Sequence, residues 1–117
     1  MKKLILSLGL LTMSFTTDSS PSFIDPNTFA NDSRCDQESH LRSKEGVKAI
    51  EFTLTNHTKS TLFLYWLNYE GKRVKYEEVP PGQRVNQPTF LTHPWVVTDT
   101  KGRCIRILTP PGDFVIQ

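Results

Sequence analysis

"YWLNYEGKRVKYEEVPPGQRVNQPTFLTHPW", from Tyr65 to Trp95, decides how the rest of the chain is read. It holds both tryptophans, Trp66 and Trp95, with Tyr76, Thr89 and His93 between them. Asn68 to Gly71 has the composition of a hairpin turn, with Gly71 able to take positive φ. Pro80-Pro81-Gly82-Gln83 has type II turn chemistry: proline sets φ at the first central position and glycine takes the left-handed one. Large rings and a few small polar groups are thus carried on strands that double back on one another. This is the raw material of a shallow pocket with aromatic walls and a polar floor.

Working outward, Thr61 to Leu67 ("TLFLYWL") is apolar on both faces and rich in β-formers, the pattern of a central strand. Before it, Ile50, Phe52 and Leu54 alternate with Glu51, Thr53 and Thr55, which makes a half-buried strand, and Asn56 to Ser60 is a polar turn. After it, Val74 and Tyr76 alternate with Arg73, Lys75 and Glu77. Val85 to Leu91 is a weaker strand interrupted by Pro88; proline lacks a ladder donor, so this segment is expected at an edge or at a bulge. Trp95 to Val97, Cys104 to Ile107 and Phe114 to Ile116 are the remaining strands, parted by turns at Thr100–Gly102 and Pro110–Asp113. No amphipathic helix is evident. The expected fold is all-β, an antiparallel β-sandwich of about seven short strands over residues 44–117.

The chain has 117 residues, enough for one small domain. Apolar residues make up 37%, so the core has to come from a few strands. Lys2 and Lys3 account for the excess of 14 basic over 12 acidic side chains. What remains is balanced and has no basic stripe, so nucleic acid is not an expected partner. The same two lysines form the charged end of a secretory signal, followed by a short apolar run from Leu4 to Leu11. That run is too short for a spanning helix, which takes roughly 20 residues. Residues 1–20 are therefore read as a signal peptide, with cleavage near Ser14-Phe15-Thr16 or Thr28-Phe29-Ala30. The mature protein is expected to be secreted or periplasmic, without membrane insertion. Residues 21–43 lack periodicity and are read as a polar linker or loosely packed tail. Asn31-Asp32-Ser33 and Asn56-His57-Thr58 match the glycosylation acceptor pattern.

Two cysteines, Cys35 and Cys104, suit one disulfide in an exported chain. Closing so long a loop is worth roughly 4 kcal/mol in the chain-entropy model. The alternative is two separate thiols, one in the tail and one in a strand. His40, His57 and His93 do not stand at metal-ligand spacing and have no cysteine beside them, so no metal is expected. There is no G-x-S-x-G or Cys-His signature. Glu77 and Glu78 are adjacent on a strand and point to opposite faces, which rules them out as a carboxylate pair. Neither catalysis nor a cofactor is expected. Trp66, Tyr76, Thr89, His93 and Trp95 remain, either as a binding set or as core aromatics with a loop histidine.

The segment from Leu41 to Gln117 resembles the β-domain of the von Hippel-Lindau (VHL) tumour suppressor family. The likeness is carried by "LRS" at Leu41 to Ser43, Asn56, "WLNYEG" at Trp66 to Gly71, Tyr76 and "PPG" at Pro80 to Gly82. From Gly82 it runs without a gap through "HPW" at His93 to Trp95 and on to Asp99. The resemblance implies a non-catalytic domain that binds a peptide or protein through a 4-hydroxyproline. Trp66, Tyr76 and Trp95 would be the aromatic walls, and the Tyr76 hydroxyl would bond the ligand backbone. Thr89 stands where the family has a serine, and His93 matches the histidine that joins that hydroxyl in bonding the ligand's 4-hydroxyl. Pro88 replaces a histidine that acts through its backbone carbonyl, which proline retains. Phe90 replaces a tyrosine and loses a hydroxyl at the rim. Glu45 and Val47 do not match the family's flanking peptide contacts, so its preferred peptide sequence does not carry over. The family's helical part, which recruits a ubiquitin ligase, has no counterpart up to Gln117, and with the export signal an adaptor role is not expected. A carbohydrate-binding or adhesion role would use the same aromatic surface.

Overall fold

A computed structural model of the chain describes residues 33–46 and 48–117. The proposed leader, both cleavage candidates and the acceptor Asn31 lie outside the described residues. Seven strands follow one another: β1 (Ala49–Asn56), β2 (Leu62–Leu67), β3 (Arg73–Val79), β4 (Arg84–Phe90), β5 (Trp95–Thr98), β6 (Cys104–Leu108) and β7 (Gly112–Ile116). They form two sheets, β4-β1-β7 and β3-β2-β5-β6. All strand pairs are antiparallel except β1 with β7, which run parallel.

Alternation explains the core. Phe52 and Leu54 of β1 face Leu62 and Leu64 of β2, Trp95 and Val97 of β5, Val79 and Leu108, and all are buried. As "TLFLYWL" suggests, β2 lies between β3 and β5. Its alternate residues serve a second cluster on the other face, where Leu67, Val96 and Ile107 are buried against Leu41, Tyr65 and Cys104. β4 is an edge strand, the place where a proline, lacking an N–H, is tolerated. Pro80 to Gln83 forms the expected turn, with Gly82 at φ 80° and Gln83 N–H donating to the Pro80 carbonyl at 3.1 Å. The later turn is shorter than expected, because Gly112 and Asp113 already belong to β7.

Two further features differ from the expected pattern, beside the parallel β1–β7 pair and the shorter late turn. The first is a β-bulge: Leu64 pairs with Glu77 while its neighbour Tyr65 pairs with Lys75, so Tyr76 is the extra residue. A bulge re-aims a side chain and breaks strict alternation along the strand. The second is residues 33–43, read as linker. Cys35–His40 forms a short 3-10 helix, and Cys35 is bonded to Cys104 of β6 across 69 positions of sequence. Glu38 grips Arg73 with two hydrogen bonds, at 2.6 Å and 2.8 Å. The hydrogen bond to Glu38 is the main reason the Arg73 guanidinium is held above its ordinary pKa. This segment lies over the outer face of the four-stranded sheet and supplies Leu41 to the second cluster.

Asn56 is fully buried. Its amide donates to the Ser60 and Val79 carbonyls, each at 2.8 Å, and its oxygen accepts from the backbone N–H and the hydroxyl of Thr58. Asn56 therefore has a structural role, and a glycan on its nitrogen is incompatible with this enclosed, bonded placement in the fold.

Candidate functional site

Trp66, Tyr76, Pro88, Thr89, His93 and Trp95 line one pocket together with Tyr69 and Phe90. Its volume is about 220 Å³, smaller than the roughly 300–1,000 Å³ of sites for drug-sized ligands, and suited to a single ring. The fold brings each residue there for a local reason. Trp66 and Trp95 are directly paired across β2 and β5. The bulge places Tyr76 edge-on to both, with ring centroids 6.3 Å and 4.9 Å away. Pro88 and Thr89 come from edge strand β4, and Trp95 is close enough to Thr89 for its indole N–H to donate to the Thr89 hydroxyl at 2.9 Å. His93 sits in the β4–β5 turn behind Thr92, whose φ of 89° is unusual for a β-branched residue. That turn is tied down by bonds from the Lys44 N–H to the Thr92 carbonyl and from the Thr92 hydroxyl to the Lys44 carbonyl. His40 and His57 are exposed and take no part.

The polar floor has a defined sense. Thr89 is only 7% exposed. Its hydroxyl oxygen accepts from Trp95, while its own proton has no acceptor among the described residues. His93 is equally buried, and its Nε2 lies 3.1 Å from the Lys44 carbonyl. A carbonyl can only accept, so Nε2 carries the proton of the neutral ring and Nδ1 is left as an acceptor. No side-chain bond to Nδ1 is made among the described residues. The floor therefore offers one free donor and one free acceptor, the complement of a hydroxyl group.

Three contributors were not anticipated. Tyr69, in the β2–β3 turn, packs edge-on to Trp66 and His93, and its hydroxyl lies 3.4 Å from His93 Nε2. The Ser43 hydroxyl accepts from the Trp66 indole N–H at 2.7 Å and donates to the Leu67 carbonyl at 2.6 Å. The third is the Lys44 carbonyl, a backbone group that no side-chain pattern reveals. Tyr69 and Ser43 do lie within the "WLNYEG" and "LRS" motifs.

A family model for the VHL beta domain matches residues 41–104. The chain belongs to the VHL β-domain family. The match opens at Leu41, where the chain begins to contact the pocket through Ser43 and Lys44, and closes at Cys104, the end of the disulfide. All eight residues that line this pocket fall inside the matched range. The remainder of β6 and all of β7 lie beyond it and complete the two sheets. The VHL β-domain is a non-catalytic module that binds peptides or proteins.

Proposed function

We propose that this VHL β-domain recognises peptides or proteins through a 4-hydroxyproline residue, and that it does so as an exported protein. The observation that carries the ligand assignment is the hydrogen-bond order of the pocket floor. It starts at the Trp95 indole N–H, which can only donate, and ends at the Lys44 carbonyl, which can only accept. A ligand hydroxyl inserted between Thr89 and His93 accepts from the first and donates to the second, completing a single chain in one direction. Plain proline leaves two buried groups unpaired, at roughly 1–3 kcal/mol each. A site of this kind discriminates strongly against the analogue without the hydroxyl. The walls suit the rest of the ligand, because a rigid pyrrolidine packs on aromatic faces with little entropy to lose.

A sugar is less well served by the same rings. Trp95 is 2% exposed and meets Tyr76 edge-on, so the open aromatic surface is that of Trp66 and Tyr76. This is room for one small ring such as a pyrrolidine, and less than a sugar platform of several rings would offer. The distinguishing experiment is displacement of a labelled hydroxyproline peptide. Unlabelled hydroxyproline peptide is expected to compete, whereas its proline twin and a panel of glycans are not; competition by glycans would overturn the assignment.

Export is supported by the leader pattern at Lys2 to Leu11 and by the Cys35–Cys104 disulfide, which persists in oxidising compartments. Fractionation with N-terminal sequencing tests it. A processed chain outside the cytosol is expected, and an intact chain confined to the cytosol contradicts it.

A further inference from the structure

We propose that Ser43 and the Lys44 carbonyl are positioning groups of the pocket, and that the Cys35–Cys104 disulfide holds them in place, so that ligand affinity depends on the oxidation state of that bond. The proposal rests on the peptide-binding reading above and adds to it a control from outside the pocket.

The two consecutive residues each fix one ring of the site. Ser43 holds Trp66 by accepting its indole N–H, and is itself anchored by donating its hydroxyl to the Leu67 carbonyl and its backbone N–H to the Asn68 carbonyl. Lys44 holds His93 through its carbonyl, which also takes the Thr92 hydroxyl. Trp66 belongs to β2 and His93 to the β4–β5 turn, so one short stretch of chain spans the pocket from wall to floor. That stretch, 41–46, is neither helix nor strand. It has no strand ladder, and its position rests on the few bonds of Ser43 and Lys44 together with what anchors it upstream.

The upstream anchors are few. Ser33 accepts from the Ile107 N–H at 2.7 Å, Glu38 pairs with a partly exposed Arg73, and Leu41 packs on Leu67, Val96 and Ile107. The Cys35–Cys104 bond is the covalent one, fastening the start of the segment to β6. A dithiol reductant breaks it by exchange: two electrons and two protons pass to the two Sγ atoms, the S–S bond becomes two thiols, and the dithiol closes to its own disulfide. The freed segment is then held by its non-covalent contacts alone: the Ser33, Glu38 and Leu41 anchors and the bonds of Ser43 and Lys44. Ser43 and Lys44 spend less time in place, and Trp66 and His93 lose the partners that orient them.

The test reads the tryptophan indole N–H resonances by 1H–15N NMR and the affinity for a hydroxyproline peptide, on oxidised protein, on Cys35→Ser, on Ser43→Ala and on the double variant. Both single variants are expected to move the Trp66 indole resonance while leaving that of Trp95, bonded to Thr89, in place. Each is expected to weaken the peptide by about threefold to tenfold, the range for one hydrogen bond. The double variant should lose less than the two single losses combined, because both act through one segment. Should Cys35→Ser fail to fold, dithiol reduction of the folded wild-type protein gives the same reading. A Trp66 resonance that stays put on loss of the disulfide, or losses that simply add, overturns the proposal. The indole reading needs no ligand, so failure of the peptide to bind at all would count against the ligand assignment, and the resonances would still decide on the strap.

Discussion

The indole N–H of Trp95 donates to the hydroxyl of Thr89 at 2.9 Å, and both side chains are buried. Thr89 thus has a structural partner on one side and an unmatched proton on the other. Thr89→Val removes both functions at once. It leaves a buried indole N–H unpaired, so urea denaturation should show a loss of about 1–3 kcal/mol. The same variant should show a smaller preference for hydroxyproline over proline, since only His93 Nδ1 remains to meet the ligand hydroxyl. Thr89→Ser keeps the hydroxyl and should retain the preference, at about 1 kcal/mol of stability for the lost methyl. A Thr89→Val protein with wild-type stability would mean that the Trp95 bond contributes nothing.

Asn56 ties the end of β1 to Ser60, Val79 and Thr58 with four side-chain bonds. Asn56→Ala should therefore be among the more damaging single changes, at roughly 2–4 kcal/mol by chemical denaturation, since several buried groups lose partners together. Asn56 is not a pocket-lining residue, so the folded fraction should keep its ratio of hydroxyproline to proline affinity. In a host that glycosylates, mass spectrometry of exported protein should find no glycan on Asn56. A glycosylated, folded species would contradict the buried placement.

Asp99 gives the fold an acid-sensitive turn. Its carboxylate is held below its ordinary pKa, first by the backbone N–H of Arg103 and further by the Arg103 side chain and the Lys101 N–H, against some desolvation. A depressed folded-state pKa contributes stability that is fully present above the unfolded value, about 4, and is lost as pH falls through the folded one. The stability gap between wild type and Asp99→Asn should be constant at neutral pH and should narrow as pH falls below about 4. Denaturation series at several acidic pH values would measure it, and a gap that widens on acidification contradicts the assignment.

Much of this architecture is legible in the chain. "TLFLYWL" reads as a central strand because both of its faces are buried, and Pro88 points to an edge because it has no N–H to give. The turn at Pro80–Gln83 follows from fixed φ at Pro81 and free φ at Gly82. The six pocket residues anticipated from the sequence do converge on one pocket, although strand alternation alone does not bring them there: Tyr76 arrives through the bulge and His93 through the β4–β5 turn. The bulge at Tyr76 is not legible, since nothing in "RVKYEEV" marks which residue is the extra one. The fastened segment 33–43 is legible only in part: its two cysteines point to the Cys35–Cys104 bond, and its order beyond that does not show. Its composition is that of a linker, and its order comes from one covalent bond, one ion pair, Leu41 and the hydrogen bonds of Ser33 and Ser43, none of which leaves a periodic trace. The Lys44 carbonyl is invisible for a simpler reason: every residue has one, and only the turn at Thr92 and His93 gives this one a task.

His93 carries the central claim, because its Nδ1 is the acceptor that a ligand hydroxyl would use. Calorimetric titration of matched hydroxyproline and proline peptides into wild-type protein and into His93→Phe tests that claim most directly. The account predicts clear binding of the hydroxyproline peptide by the wild type and a much weaker signal for proline. In His93→Phe, a planar ring of similar width still fills the space, and affinity for hydroxyproline should fall by about 1–3 kcal/mol while that for proline stays level or rises. Equal binding of both peptides by the wild type, or an unchanged ratio in a folded His93→Phe, would contradict it.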